Sequence, residues 1–218
     1  MPLNIGILGG TFNPVHFGHL RLAIEAREQV GLHRVELVPA SLPPHKQQAW
    51  MYPFAFRCRM LEEAVSDCPD LVVNELEGER SGPSYTVDTL QEYHRRCPGD
   101  RFYFIMGSED FLKLEQWERW QELPGLTSFI LVGRNGKEEG QLRDFLARRW
   151  PEAVQLRRNP GQWRLHSEST IHYLHIPRFD LSSSLIREKL ATGLSLRFLV
   201  PAPVDALLQD YQRSEDGS

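Results

Sequence analysis

The chain has 218 residues, with 25 Lys+Arg against 29 Asp+Glu for a formal charge of −4, and is 41% hydrophobic and 25% charged. This is the length of one domain and the composition of a soluble globular protein, which excludes a disordered chain and a global positive field for holding nucleic acid. No apolar run is long enough for a bilayer, the opening MPLNIGILGG lacks the features of a signal peptide, and Cys58, Cys68 and Cys97 form no CxxC; the expectation is a cytoplasmic protein with free thiols and no metal held by the chain itself.

Leu3 to Gly9 is a short apolar run closed by glycines, the pattern of a buried strand. Leu20, Ala23, Ile24 and Val30 then recur at helical spacing, with Gly31 placed to stop the helix. Arg34 to Pro39 (RVELVP) is the next strand, and Ala40 to Pro53 is a Pro-rich loop too polar and broken to be an element. Helical periodicity returns over Phe54 to Val65, Leu71 to Asn74 is a strand, and Ser84 or Thr86 is placed to cap a helix running towards Cys97. Arg101 to Met106 (RFYFIM) and Ser128 to Val132 (SFILV) are apolar strands, Glu138 to Arg149 is a polar amphipathic stretch, and Ile171 to Ile176 is a late strand. A helix from Ser182 ends near Thr192-Gly193, and Val204 to Gln212 forms another before a frayed SEDGS end.

Strands alternating with helices predict βαβ units: an α/β, doubly wound, mainly parallel sheet with a small C-terminal helical tail and no linker that splits the chain. In such sheets ligands bind beyond the carboxyl ends of the strands, at a reversal in strand order. His172 and His175 fall at odd spacing in a strand and cannot share a ligand, and the pairs Arg148-Arg149 and Arg157-Arg158 read as a solvated face.

The first strand–helix junction reads Gly9-Gly10-Thr11-Phe12-Asn13-Pro14-Val15-His16-Phe17-Gly18-His19. It has no GxGxxG and no ribose-binding acid at the expected distance, and no GK[ST] occurs anywhere, which excludes a nicotinamide-dependent oxidoreductase and a P-loop NTPase. Gly9 and Gly10 nevertheless expose backbone N–H groups to a ligand, His16 and His19 converge across the helix start, and Gly18 leaves room for a bulky anion. The helix amino terminus adds partial positive charge that favours phosphate. A zinc site would need a third ligand that the junction lacks.

Leu181-Ser182-Ser183-Ser184-Leu185-Ile186-Arg187 opens the late helix. One serine there is a plain cap; a run of them with Arg187 a turn further on gives hydroxyls, backbone donors and a guanidinium suited to polyphosphate.

GGTFNPVHFGH resembles the FDPxHxGH element of the nucleotidyltransferase α/β-phosphodiesterase superfamily, and LSSSLIR resembles its ISSTxIR element. Within the superfamily the chain is similar to the bacterial nicotinate mononucleotide adenylyltransferases. Supporting segments are Pro43-Pro44-His45-Lys46, SYTVDTL at Ser84 to Leu90, Gly107 to Trp117, and the Leu199-Val200-Pro201 tail with Val204 and Tyr211. Asn13 stands where the pattern has Asp, and Gly107-Ser108-Glu109-Asp110 stands where it has GxD, which leaves the inheriting acid open between Glu109 and Asp110.

The resemblance implies a Rossmann-like nucleotidyltransferase domain over 1–218, with 181–213 completing the ATP site. It implies adenylyl transfer from ATP to nicotinate mononucleotide in NAD biosynthesis, giving nicotinate adenine dinucleotide and pyrophosphate. The nucleophile is an ionised phosphate, so positioning and charge stabilisation replace a general base. His16, His19 and Arg187 would be catalytic, while Gly9, Gly10, Thr11, Phe12, Gly18, Gly107, Ser183 and Ser184 would bind ATP. Lys46, Tyr85, Thr86, Trp117 and Asp110 would hold nicotinate mononucleotide, with Trp117 stacking on the pyridine and the helix start at Thr86 favouring its carboxylate. Mg²⁺ would be held mainly by ATP phosphates. The implied protein is a monomer or weak homodimer with no nucleic-acid or membrane partner. The pantetheine-phosphate and nicotinamide mononucleotide adenylyltransferases are the rival members, and a catalytically idle nucleotide-binding regulator is the rival of another class.

Overall fold

Apolar residues on both faces of the central strands dictate a sheet buried between helices. The computed structural model describes residues 2–44, 50–133, 137–157, 159, 161–165, 169–176 and 179–216. Its elements are β1 (Asn4–Gly10), α1 (Phe17–Val30), β2 (Arg34–Pro39), α2 (Phe54–Val65), β3 (Leu71–Val73), α3 (Thr86–Arg96), β4 (Arg101–Gly107), α4 (Ser108–Phe111), α5 (Leu123–Leu126), β5 (Ser128–Gly133), α6 (Lys137–Arg149), β6 (Val154–Gln155), β7 (Gln162–Arg164), β8 (Thr170–His175), α7 (Ser183–Ala191) and α8 (Ala202–Asp216). The strands form one eight-stranded sheet in the order β3-β2-β1-β4-β5-β8-β7-β6. The pairs from β3 to β8 are parallel; β8–β7 and β7–β6 are antiparallel.

Alternation along each strand divides the core in two. Ile5, Ile7, Phe102, Phe104, Met106, Phe129, Leu131, Ile171 and Tyr173 pack with Val87 and Leu90 of α3, Phe111 of α4 and Leu142 and Phe145 of α6. Leu8, Val35, Leu37, Ile105, Ile130 and Leu174 pack on the other face with Ala23 and Ala26 of α1, Met60 and Leu61 of α2, Ile186 and Leu190 of α7 and Val204 and Leu208 of α8. This is the doubly wound arrangement that the sequence predicts.

Strand order runs outward from β1 to β3 on one side and from β4 to β8 on the other, so the reversal falls between β1 and β4. The glycines Gly10 and Gly107 end these two neighbouring strands. The topological switch point, where sheets of this kind bind ligands, therefore lies beside the first junction.

Two expectations need correction, and one feature lies outside them. Neither Ser84 nor Thr86 caps α3: the N-cap is Tyr85, with no side-chain cap bond, because the Ser84 hydroxyl instead accepts from the Leu42 N–H at 3.0 Å. The last helix begins two residues earlier than Val204 and runs into the SEDGS tail, to Asp216. The antiparallel edge β6–β7 is absent from the sequence reading, since two- and three-residue polar strands carry no alternation to recognise.

Candidate active site

The β1–α1 junction is shaped by tight contacts. Phe12 has φ 47°, uncommon for a bulky residue, and its buried ring folds back towards Gly10, where a Cβ would lie 3.0 Å from it. The same ring meets His19 edge-on at 5.0 Å between centroids. His19 and His16 do converge: their rings stack at 3.8 Å with an interplanar angle of 26°. The His16 N–H donates to Nδ1 of His19 at 3.3 Å, so the neutral His19 ring carries its proton on Nε2.

His16 is 5% exposed, and its Nδ1 is buried with no hydrogen-bond partner among the described residues. A lone pair tolerates such a place better than an N–H, which assigns the proton of the neutral ring to Nε2. Desolvation pushes its pKa down to about 4, against a smaller upward pull from its own backbone. His16 is therefore a neutral donor at physiological pH rather than a cation. A Cβ at Gly18 would lie 3.0 Å from the His16 ring, so the missing side chain makes room for the imidazole.

The serine-rich helix start comes to the same place. Ser182 is the N-cap of α7 and accepts from the Leu185 N–H at 3.2 Å. Ser183 Oγ donates to the Pro14 carbonyl at 2.9 Å, and Arg187 Nη1 donates to the Asn13 carbonyl at 2.7 Å. Arg187 Nη2 also donates to Ser184 Oγ at 3.2 Å. The two motifs, nearly the whole chain apart in sequence, thus hold one another directly. Gly9 and Ser184 are exposed and Gly10, Thr11, His19 and Arg187 half-buried, so the cluster opens to solvent.

On the β4 side, a Cβ at Gly107 would lie 3.5 Å from Asp110 Oδ2, which places the Asp110 carboxylate over the strand end. Glu109 and Asp110 are both exposed on the short helix α4. Thr86 begins α3 with its terminus uncapped by any side chain, leaving first-turn N–H groups for a ligand. Trp117 is half-buried and edge-on to Phe104 at 6.0 Å. Arg119, two residues on, pairs with Asp88 of α3 and so ties the Trp117 segment to that helix. Lys46 and His45 lie outside the described residues.

One contributor escaped the sequence reading. Arg57 of α2 is 1% exposed and donates to the carbonyls of Thr11 (2.7 Å), Ala40 (2.8 Å) and Tyr52 (3.0 Å). A cation at core-facing spacing with Phe54, Cys58 and Leu61 was its only signal in the sequence. Asn13, also buried, accepts from the Tyr52 N–H at 2.9 Å and donates to the Trp50 carbonyl at 3.1 Å. An aspartate could accept but not donate, so the Asn fits this particular strap.

Elsewhere, a cavity of about 680 Å³ lies against α8, lined by Phe17, Arg197, Phe198, Val200, Asp205 and Arg213, and includes neither histidine nor Arg187. The cysteines are free, and burial pushes the Cys58 thiol up to about 12, away from reactivity. Arg149 is not merely solvated, because it pairs with Glu115. Among the described residues no helix is long and apolar enough to cross a membrane.

Fold and site together define a nucleotide-binding α/β protein of the cytidylyltransferase-like class, and the Cytidylyltransferase-like family model matches residues 7–189. A relative from Geobacter metallireducens named "Probable nicotinate-nucleotide adenylyltransferase" is 42% identical over 93% of this chain and 94% of its own. A relative of the same name from Geotalea daltonii is 38% identical over 99% of this chain and 100% of its own. The nicotinic acid mononucleotide adenylyltransferase of Plasmodium falciparum complexed with NaAD has the same fold, with a TM-score of 0.73, 19% identity and 96% of each chain covered. Within its class, the chain belongs to the nicotinate-nucleotide adenylyltransferase family.

Proposed function

We propose that the chain transfers the adenylyl group of ATP to the 5′-phosphate of nicotinate mononucleotide, giving nicotinate adenine dinucleotide and pyrophosphate in NAD biosynthesis. Residues 1–218 act as one nucleotidyltransferase domain, with 181–213 closing the ATP site, in the cytoplasm. The observation that carries the reading is the direct bonding of Ser183 and Arg187 to the carbonyls of Pro14 and Asn13 at the β1/β4 switch point. It joins the junction that carries the imidazoles to the helix start that carries the hydroxyls and the guanidinium, which supports a shared phosphate site.

The acceptor phosphate attacks the α-phosphorus, and the departing pyrophosphate takes the electron pair. Neutral His16, with His19 stacked beside it, donates Nε2–H to oxygens on which charge builds, with no proton removed from the nucleophile. Arg187 retains N–H donors beyond the two that it spends on Asn13 and Ser184, and with Ser183 and Ser184 it steadies the β- and γ-phosphates. Gly9, Gly10, Thr11, Phe12 and Gly107 supply backbone against the nucleotide. Mg²⁺ would be held mainly by phosphate oxygens and water. When bound, the ion neutralises triphosphate charge. The α3 terminus with Thr86 and Tyr85 takes the nicotinate carboxylate, Trp117 the pyridine face, and Asp110 a hydroxyl of the mononucleotide; Lys46 closes on phosphate.

The test is pyrophosphate release from ATP with nicotinate mononucleotide, nicotinamide mononucleotide and phosphopantetheine in parallel. Preference for the first is expected; turnover with phosphopantetheine alone, or with none, overturns the reading.

A further inference from the structure

We propose that Arg57 is a positioning residue for this reaction: its buried guanidinium orients the peptide plane after Thr11 and locks both ends of the 40–52 stretch against it. The proposal rests on the nucleotide-site reading above.

The hydrogen-bond partners of Arg57 are all backbone carbonyls, one from each of three segments. Thr11 lies in the β1–α1 junction, Ala40 follows β2, and Tyr52 precedes α2. The guanidinium carbon also sits 5.5 Å from the Phe54 ring centroid, which covers it. A charge buried in such a place is expensive to desolvate, and the rigid fork recovers that cost by meeting carbonyl dipoles that converge from different directions. A lysine has one nitrogen at the end of a flexible stem and cannot reproduce that spread.

In a trans peptide the C=O and the following N–H point in opposite directions. Holding the Thr11 carbonyl on Arg57 therefore turns the Phe12 N–H to the opposite side. The Pro14 carbonyl, held by Ser183, sets the Val15 N–H in the same way, and Arg187 fixes the Asn13 carbonyl between them. The loop that leads into His16 is thus oriented plane by plane by donors from α2 and α7. Asn13 completes the coupling, since its side chain grips the strap at Trp50 and Tyr52 whose carbonyl Arg57 also holds. Loss of Arg57 frees the junction and the strap together.

The experiment compares wild type with Arg57→Lys and Arg57→Met at a temperature where circular dichroism finds all three folded, Lys being retained should Met fail to fold. It measures kcat and KM with ATP and nicotinate mononucleotide, thermal midpoints, and calorimetric affinity for α,β-methylene ATP. A misplaced loop is expected to lower kcat about 10²-fold, with KM changed less than kcat. Wild-type kcat in a folded variant, with only the thermal midpoint lowered, would make Arg57 purely structural and overturn the proposal. Should the wild type bind the analogue but not turn over nicotinate mononucleotide, the substrate reading fails instead. The clamp is then judged by affinity, at least tenfold weaker in the variants if correct and equal to wild type if wrong. A wild type that does not bind the analogue overturns both.

Discussion

If His16 is buried as a neutral ring, acid should unfold the protein through it. The ordinary imidazole value is 6.5 and the folded value about 4, so between the two the unfolded chain binds a proton that the native ring refuses. Stability is complete above the unfolded value, falls as pH drops through 6.5, and stops falling from this cause below 4. From 6.5 to pH 5 is 1.5 units, which at about 1.36 kcal/mol per unit gives a loss of ~2 kcal/mol between pH 7 and pH 5. Burial also holds His172 near 4, so the wild-type slope contains both rings. Urea unfolding of wild type and His16→Asn at the two pH values separates them. The variant should lose ~2 kcal/mol less than wild type on acidification. Equal losses would show that His16 is not a desolvated neutral donor, and its role in the mechanism would have to be that of a cation.

Replacement of His19 by Ala should lower kcat by roughly 10²–10³, the usual loss for one transition-state donor, with near-wild-type turnover counting against the mechanism. Thr86→Val keeps the shape of the helix start but removes its hydroxyl, and should narrow the kcat/KM preference for nicotinate over nicotinamide mononucleotide by about tenfold, since hydrogen bonds to charged groups contribute about 1.5–3 kcal/mol. A ratio that does not move would take Thr86 out of the specificity argument. Asn13→Ala deletes one buried and one partly buried bond to the strap. A cost of about 2 kcal/mol is expected, a thermal midpoint lower by roughly 4–8 °C for a chain of this size; an unshifted midpoint would mean that the strap is held without it.

Much of the site was legible because local chemistry announces it. Two histidines beside glycines after an apolar strand, and serines with an arginine at a helix start, are patterns that chain geometry turns into convergent donors. That Gly18 makes room for the His16 ring was not legible, because spacing does not say which neighbour fills the room that a missing Cβ leaves. The capping of α3 failed for a related reason: Ser84 had a competitor in the Leu42 N–H, which only the folded chain presents. Arg57, and the strap that Asn13 holds, stayed hidden because the partners are backbone groups, which every residue carries and no side-chain pattern marks.

The residues alone settled the alternation of strands and helices, the burial of the central strands on both faces, and the chemical character of the two motifs. These follow from periodicity and from the side chains themselves. Tertiary structure decided that strand order reverses between β1 and β4, that Arg187 and Ser183 close on Asn13 and Pro14, and that three separate carbonyls meet on Arg57. Such meetings depend on where distant segments cross in space, and a hydrogen bond has no energy to express until both partners have been brought within its short reach.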